Sequence, residues 1–142
     1  MAQRTIAVTL KIPDNAALTA LAALRRLGVD VSRLERADVW KFDDEGFTPV
    51  EERFEQNETL FNPNKHELQV LDANGPRDGE VWIEMLDAAD VPLRMTGASH
   101  ARRFTSWRLF RKGKDPAGAS HVRDAAEKLL CNPAIERAIF RE

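Results

Sequence analysis

The segment between positions 94 and 103 carries the residue types best suited to binding chemistry. The candidate residues are Arg94, Thr96, Gly97, Ser99, Arg102 and Arg103. Its small members would let backbone amides approach an anion, and the adjacent arginines could hold a phosphate in a bidentate manner. A second interpretation is a basic loop that folds over the acidic residues preceding it.

Residues for catalysis or metal binding are scarce in this sequence. The three histidines, His66, His100 and His121, do not have the spacing of metal ligands, and a single cysteine, Cys131, cannot complete a zinc site. Walker, GxGxxG and nucleophile-elbow motifs are absent from the sequence. We therefore predict no catalytic, cofactor or metal site, and we interpret Cys131 as a small core residue.

Basic and aromatic residues alternate between positions 102 and 112, which raises the question of nucleic-acid binding. The run Arg-Arg-Phe-Thr-Ser-Trp-Arg-Leu-Phe lacks the glycine-containing aromatic signature of RNA-recognition modules. The chain is also slightly acidic, with a net charge of −2. The sequence thus does not favour a nucleic-acid partner.

Charge is unevenly distributed along the chain. Positions 43–90 contain fourteen acidic and three basic residues, whereas positions 91–114 contain seven basic and no acidic residues. Such segregation indicates either internal pairing or two surfaces for different partners.

The length of 142 residues fits a single domain, 1–142. No membrane span or signal peptide is evident, so we expect a cytoplasmic protein without a membrane partner.

The first 42 residues predict a strand, a helix and a second strand. Residues 4–12 alternate in polarity, and Asp14 or Asn15 can cap the helix that follows. The helix has a predicted core stripe, and Gly28 is placed to end it. The residues of the stripe are Ala17, Leu21, Leu24 and Leu27.

The last third of the chain repeats the order strand, helix, strand. Residues 107–111 alternate as a strand, and residues 122–130 place an apolar face on a helix that Pro133 cannot continue. Residues 135–140 predict the final strand. Two such units predict an α+β fold, a ferredoxin-like split βαβ arrangement with an antiparallel sheet and two main helices.

A central insertion, about 44–106, separates the two units. It predicts a short helix at about 49–60 from a capping-box spacing that starts at Thr48. It also predicts two strands, 66–71 and 80–86, joined as a β-hairpin through residues 72–79. Residues 87–106 show no clear period and predict a long loop.

The run Glu-Lys-Leu-Leu-Cys-Asn-Pro-Ala-Ile-Glu (127–136) resembles the end of the PurS subunit of phosphoribosylformylglycinamidine synthase, where a similar helix end leads into the final strand. Residues 8–11, 22–28, 31 and 36 are similar to that family's first strand, first helix and second strand. Together the two stretches cover about half of the chain, and the insertion has no counterpart in the family.

This resemblance implies a non-catalytic subunit that forms a homodimer or higher oligomer. A subunit of this family bridges a synthase subunit and a glutaminase subunit in purine biosynthesis. The resemblance implies that those partners, rather than this chain, bind glutamine, ATP and Mg²⁺. The alternative function is a stand-alone regulatory or small-molecule-binding module that takes a phosphate or carboxylate at the 94–103 segment.

Overall fold

An antiparallel β-sheet with two helices organises the parts of the chain that the computed structural model describes, which are residues 2–44, 62, 64–71, 75–86, 98–112 and 115–141. The strands are β1 (Ala2–Leu10), β2 (Arg33–Asp44), β3 (His66–Leu71), β4 (Glu80–Met85), β5 (Ala98–Lys112), β6 (Asp115–Pro116) and β7 (Glu136–Phe140). The helices are α1 (Asn15–Arg26) and α2 (Ala119–Ala125), which continues as a π-helical turn, Ala126–Leu130. The α+β class and the antiparallel sheet with two helices are therefore confirmed for these residues.

Helix α1 begins and ends as local chemistry requires. The Asp14 carboxylate accepts hydrogen bonds from the amides of Ala16 and Ala17, which caps the helix. After the helix, Gly28 adopts a φ of +86°, a conformation that costs glycine little. Ala17 and Leu24 are buried as predicted, but Leu27 is 45% exposed because it is already the C-cap residue and has left the helix face.

The strand order in the sheet is β3-β1-β2-β5-β4-β7, with β6 paired to the end of β5. The ferredoxin-like split βαβ arrangement is not confirmed, since seven strands form the described sheet. In the first unit, β1 and β2 are antiparallel neighbours, with Val8 opposite Asp38, whereas a split βαβ unit separates two parallel strands by a third. In the second unit, β5 and β7 run parallel on either side of β4, because both pair with it in antiparallel fashion.

The strands 66–71 and 80–85 form as predicted, but the predicted hairpin between them is wrong. β3 pairs with β1 and lies at one edge of the sheet, while β4 lies between β5 and β7. The reason is visible in β4 itself, where Val81, Trp82 and Ile83 are all buried. A strand that is apolar on both faces favours a central position in the sheet.

The loop predicted for residues 87–106 is wrong for its last part, because β5 begins at Ala98. Basic and polar residues hide the strand pattern there, since their side chains form ion pairs on both faces of the sheet. Residues 87–97 and the helix predicted at about 49–60 lie outside the described residues.

The helices pack on one face of the sheet, which we call the helix face. Its core joins Leu24 of α1 and Val122 of α2 to strand residues such as Leu34, Val81 and Leu109. Of the C-terminal apolar stripe, Val122, Ala125, Ala126 and Leu130 are buried, whereas Leu129 is 40% exposed because the π-helical turn rotates it outward.

Alternate residues of the same strands point to the opposite face, which we call the open face because neither described helix packs there. Part of it carries buried apolar side chains, among them Val39, Trp82 and Phe104. Its remaining part is polar and contains the candidate site. Within the described residues, no helix is long and apolar enough to cross a membrane.

Candidate functional site

The segment predicted to bind an anion falls partly on β5. Arg94, Thr96 and Gly97 lie outside the described residues, and Ser99 lies in β5, although its side chain is also outside them. Arg102 and Arg103 are consecutive residues of the strand and therefore point to opposite faces of the sheet. The structure does not bring these two guanidinium groups together.

Each of these arginines forms an ion pair with a carboxylate of the protein. Arg102 donates through Nε and Nη2 to the two oxygens of Glu84, at 2.9 and 2.8 Å, and Arg137 donates to the same carboxylate. The hydrogen bond from Arg102 is the main reason that the pKa of the Glu84 carboxyl lies below its ordinary value. On the other face, Arg103 lies 3.4 Å from Asp38. Both arginines therefore link strands of the sheet.

A polar cavity of about 540 Å³ lies on the open face, near the end of β1 and the starts of β2 and β3, beside β5. Its lining is formed by Thr9, Glu35, Arg36, Ala37, Glu67, Leu68, Gln69, Arg77, Ser106 and Arg108. The pairing register explains this grouping, since Glu35 and Arg108 are directly opposite on β2 and β5. Arg108 is in turn opposite Glu80 on β4. We call this cavity the polar cavity.

Glu80 is a carboxylate buried beside the polar cavity, with 1% of its surface exposed. It accepts hydrogen bonds from the Arg77 amide at 2.8 Å and from the Arg77 Nε and Nη2 atoms at 3.1 and 3.0 Å. The hydroxyl of Ser106, also buried, donates to the same carboxylate. Burial raises the pKa of the Glu80 carboxyl, but these hydrogen bonds together outweigh burial and hold its pKa below the ordinary value.

Arg108 lines the cavity between Glu35 and Glu80, which are opposite it on the two neighbouring strands, but no described carboxylate lies within ion-pair distance of its guanidinium group. Its Nε atom donates to the backbone oxygen of Asp78 at 3.1 Å, and its guanidinium carbon lies 5.3 Å from the ring centre of Phe110. Partial burial lowers the pKa of Arg108, and the nearby charge of Arg77 lowers it further, while the charges of Glu80 and Glu35 only partly oppose this shift. Two guanidinium groups that repel each other therefore line the same cavity.

The rest of the lining of the polar cavity carries hydrogen-bond acceptors. Glu67 and Gln69 belong to the edge strand β3, and Thr9 on β1 lies opposite Glu67. Glu35 is about half exposed, and its ion pair with Arg33 is long, at 4.0 Å. No described cation lies within ion-pair distance of the Glu67 carboxylate. Both carboxylates are thus accessible to a ligand.

Two groups with potential chemical reactivity are held in less reactive forms. Because its pKa is lowered, the buried Glu80 is a weak base for activating the Ser106 hydroxyl. Burial raises the pKa of the Cys131 thiol, and the charge of Glu136 raises it further, which disfavours the reactive thiolate. No described group of histidine, cysteine, aspartate and glutamate side chains has the arrangement of a metal site.

The residues that matter most in the polar cavity, Arg77, Glu80, Ser106 and Arg108, were not identified from the sequence. One sequence feature could have identified Glu80, because it is the first residue of a predicted strand and the next three residues are apolar. A charged residue at a central strand position is buried with a partner, and Arg77 stands three residues before it. The contribution of Arg108 depends on the pairing of β5 with β2 and β4, which the sequence did not predict.

No protein-family model matches this chain, and no curated protein is significantly similar to it.

Proposed function

We propose that this chain is a non-catalytic binding module whose small-molecule ligand occupies the polar cavity and places an anionic group between Arg77 and Arg108. The observation that carries the proposal is the Arg108 guanidinium, which is partly buried, lies near a second arginine and has no described carboxylate within ion-pair distance. A carboxylate or phosphate would relieve the repulsion between these cations through charge-assisted hydrogen bonds.

The neighbouring ion pair supports this assignment by fixing one of the two arginines. Glu80 accepts from Nε and Nη2 of Arg77, so the guanidinium is held in one orientation while 26% of the side chain stays exposed. A donor that is already oriented loses less conformational freedom when a ligand binds. The size of the cavity, about 540 Å³, also lies within the range of small-molecule sites.

The test measures the melting temperature of the chain with sodium acetate, succinate, citrate and inorganic phosphate, followed by calorimetric titration of the anion that stabilises most. A ligand that binds the native state alone raises the melting temperature. We expect Arg108→Gln to weaken binding by about tenfold or more, the effect of one charged hydrogen bond. Arg26→Gln is the matched control, because Arg26 is exposed on α1 away from the cavity.

Two results would overturn the proposal. One is the absence of stabilisation by any of these anions or by the amino acids tested below. The other is equal binding by the Arg108→Gln variant and the parent chain, since the anion would then bind elsewhere. Circular dichroism of both variants separates loss of binding from loss of fold.

We also propose a second candidate, a PurS-like subunit that assembles with synthase and glutaminase subunits of phosphoribosylformylglycinamidine synthase and forms a homo-oligomer. The support is confined to the C-terminal part of the chain. There, a helical segment over 119–130 leads through Asn132 and Pro133 into β7, as the resemblance of residues 127–136 implies. The ferredoxin-like arrangement belongs to this second proposal, and its support is the second unit, where β5 and β7 run parallel on either side of β4.

The second candidate is tested by mixing the chain with the synthase and glutaminase subunits from the same source. Light scattering then reports complex formation, and glutamine-dependent amidation of formylglycinamide ribonucleotide reports function. We expect a complex of all three chains and an amidation rate that requires this one. An unchanged rate without the chain, together with separate elution of the three proteins, would exclude the role.

A further inference from the structure

The charges around the polar cavity are balanced, and this balance restricts the ligand class. Three arginines, Arg36, Arg77 and Arg108, face three glutamates, Glu35, Glu67 and Glu80. Arg36 binds Asp14 at 2.9 Å, and Arg77 binds Glu80 but keeps 26% of its side chain exposed, so Arg108 is the cation with the least internal neutralisation. A ligand with several negative charges would therefore meet repulsion from Glu35 and Glu67 as well as attraction from Arg108.

The remaining charges lie on three different strands, with Glu35 next to Arg108 and Glu67 farther away. Arg108 lies on β5, and Glu67 lies on β3, three strand spacings away, or about 14 Å between backbones. Glu35 lies on β2, next to Arg108 and on the side towards Glu67. The cavity thus has a cationic end at Arg108 and Arg77 and an anionic side formed by Glu35 and Glu67.

Uncharged hydrogen-bonding groups lie beside Glu67 in the cavity lining. Thr9 is a neighbour of Glu67 across the β1–β3 pair, and its hydroxyl donates to the Glu67 backbone oxygen at a distance of 3.5 Å. Gln69 follows on the same side of β3 and also lines the cavity. These two side chains suit a ligand that carries an uncharged polar group.

We propose that the ligand of the polar cavity is a zwitterion of the α-amino-acid class with an uncharged polar side chain. Its carboxylate binds Arg108 and Arg77, its ammonium group faces Glu35 and Glu67, and its side chain contacts Thr9 and Gln69. The inference rests on the proposed function, because it names the ligand of the same cavity. It adds a requirement for a cationic group on the ligand, which the proposed function does not contain.

The experiment begins with a thermal-shift screen of the twenty standard L-amino acids on the full chain. The amino acid with the largest shift is then titrated calorimetrically beside two analogues, its deaminated carboxylic acid and its decarboxylated amine. We expect the amino acid to bind at least about tenfold more tightly than either analogue, since each analogue lacks one charged hydrogen-bonding group.

Substitutions test the assignment of the ammonium group. We expect the double variant Glu35→Gln and Glu67→Gln to weaken binding of the amino acid by about tenfold and to leave binding of the deaminated acid unchanged or tighter. Both residues lie on the surface, so the variant should keep the fold. Glu127→Gln, on the exposed side of the π-helical turn, is the matched control and should bind as the parent does.

Each remaining outcome overturns at least one of the two proposals. Equal binding of the amino acid and its deaminated acid would overturn the zwitterion and keep the anion site. Equal binding of the decarboxylated amine would overturn both proposals, because the anionic group would then be dispensable. A screen in which neither the amino acids nor the anions above bind would also overturn both.

Discussion

Arg77 holds Glu80 through three hydrogen bonds, one from its backbone amide and two from its guanidinium group. The two residues stand three positions apart, where the chain enters β4. The carboxylate is buried and the guanidinium is not, so one interaction both neutralises a charge in the sheet and presents a cation to the polar cavity. This relationship connects the stability of the sheet with the proposed site.

Glu80→Gln should destabilise the protein by about 2 to 3 kcal/mol at neutral pH, because Arg77 then loses its charged partner. The folded-state pKa of Glu80 lies below its ordinary value, so its contribution to stability is complete above that value and is lost as the pH falls through the folded-state pKa. We therefore expect the stability difference between parent and variant to shrink below about pH 4. Urea denaturation of both proteins at a series of pH values measures this difference, and a difference that stays constant with pH would contradict the assignment.

Gly79→Ala should be much more damaging than Gly28→Ala, although both glycines have a left-handed φ, +76° and +86°. A Cβ atom on Gly79 would lie 2.7 Å from the backbone oxygen of Leu109 and 3.0 Å from the Ala117 nitrogen, whereas a Cβ on Gly28 meets open space. We expect a loss of about 1 kcal/mol at Gly28 from backbone conformation alone, and about 3 kcal/mol or more at Gly79. Thermal denaturation of the two variants compares these losses, and equal losses would show that the close contacts are relieved by a small shift.

Asp14→Ala should cost about 1 to 2 kcal/mol, whereas Asn15→Ala should change stability little. The structure decides between the two candidate caps, because Asp14 accepts from the amides of Ala16 and Ala17 and also from Arg36 at 2.9 Å. Denaturant titration of both variants provides the measurement. A larger loss for the Asn15 variant would place the helix cap one residue later.

Arg102→Gln and Arg103→Gln should differ, although the residues are neighbours. Arg102 makes a bidentate pair with Glu84, so we expect its loss to cost about 1 kcal/mol, with Arg137 keeping a partial partner for the carboxylate. Arg103 and Asp38 are both about half exposed, and we expect a change within about 0.5 kcal/mol. Equilibrium unfolding at low and high salt checks both values. Phosphate titration of the same variants would reveal any joint role in anion binding, which the structure does not support.

The sequence predicts well those elements whose signal is local. The alternation of residues 4–12, the capping side chain of Asp14 and the glycine after α1 define the first strand and helix in nearly their observed positions. The same is true of β3 and β4 as separate strands. In each case the relevant physical interactions lie within a few residues of one another in the chain.

The pairing of these strands could not be predicted in the same way. A short link rich in turn residues favours a hairpin between β3 and β4, but burial of both faces of β4 outweighs that local preference. The start of β5 was not predicted because Arg102 and Arg103 point to opposite faces of the sheet and are both charged. This part of the strand therefore shows no alternation of apolar and polar residues. The polar cavity depends on this pairing, since β5 brings Arg108 between Glu35 and Glu80.

The central position of β4 also has a consequence for how the chain folds. Val81 pairs with Trp107 on one side and with Phe140 on the other, so both neighbours of this strand are synthesised after it. Until residue 140 has been made, an apolar strand has at least one row of unpaired backbone groups, a template for pairing with another chain. Such distant contacts raise the contact order, which slows folding relative to proteins with local pairing. For this chain, the period before β7 is added is therefore the interval of greatest exposure to aggregation during synthesis.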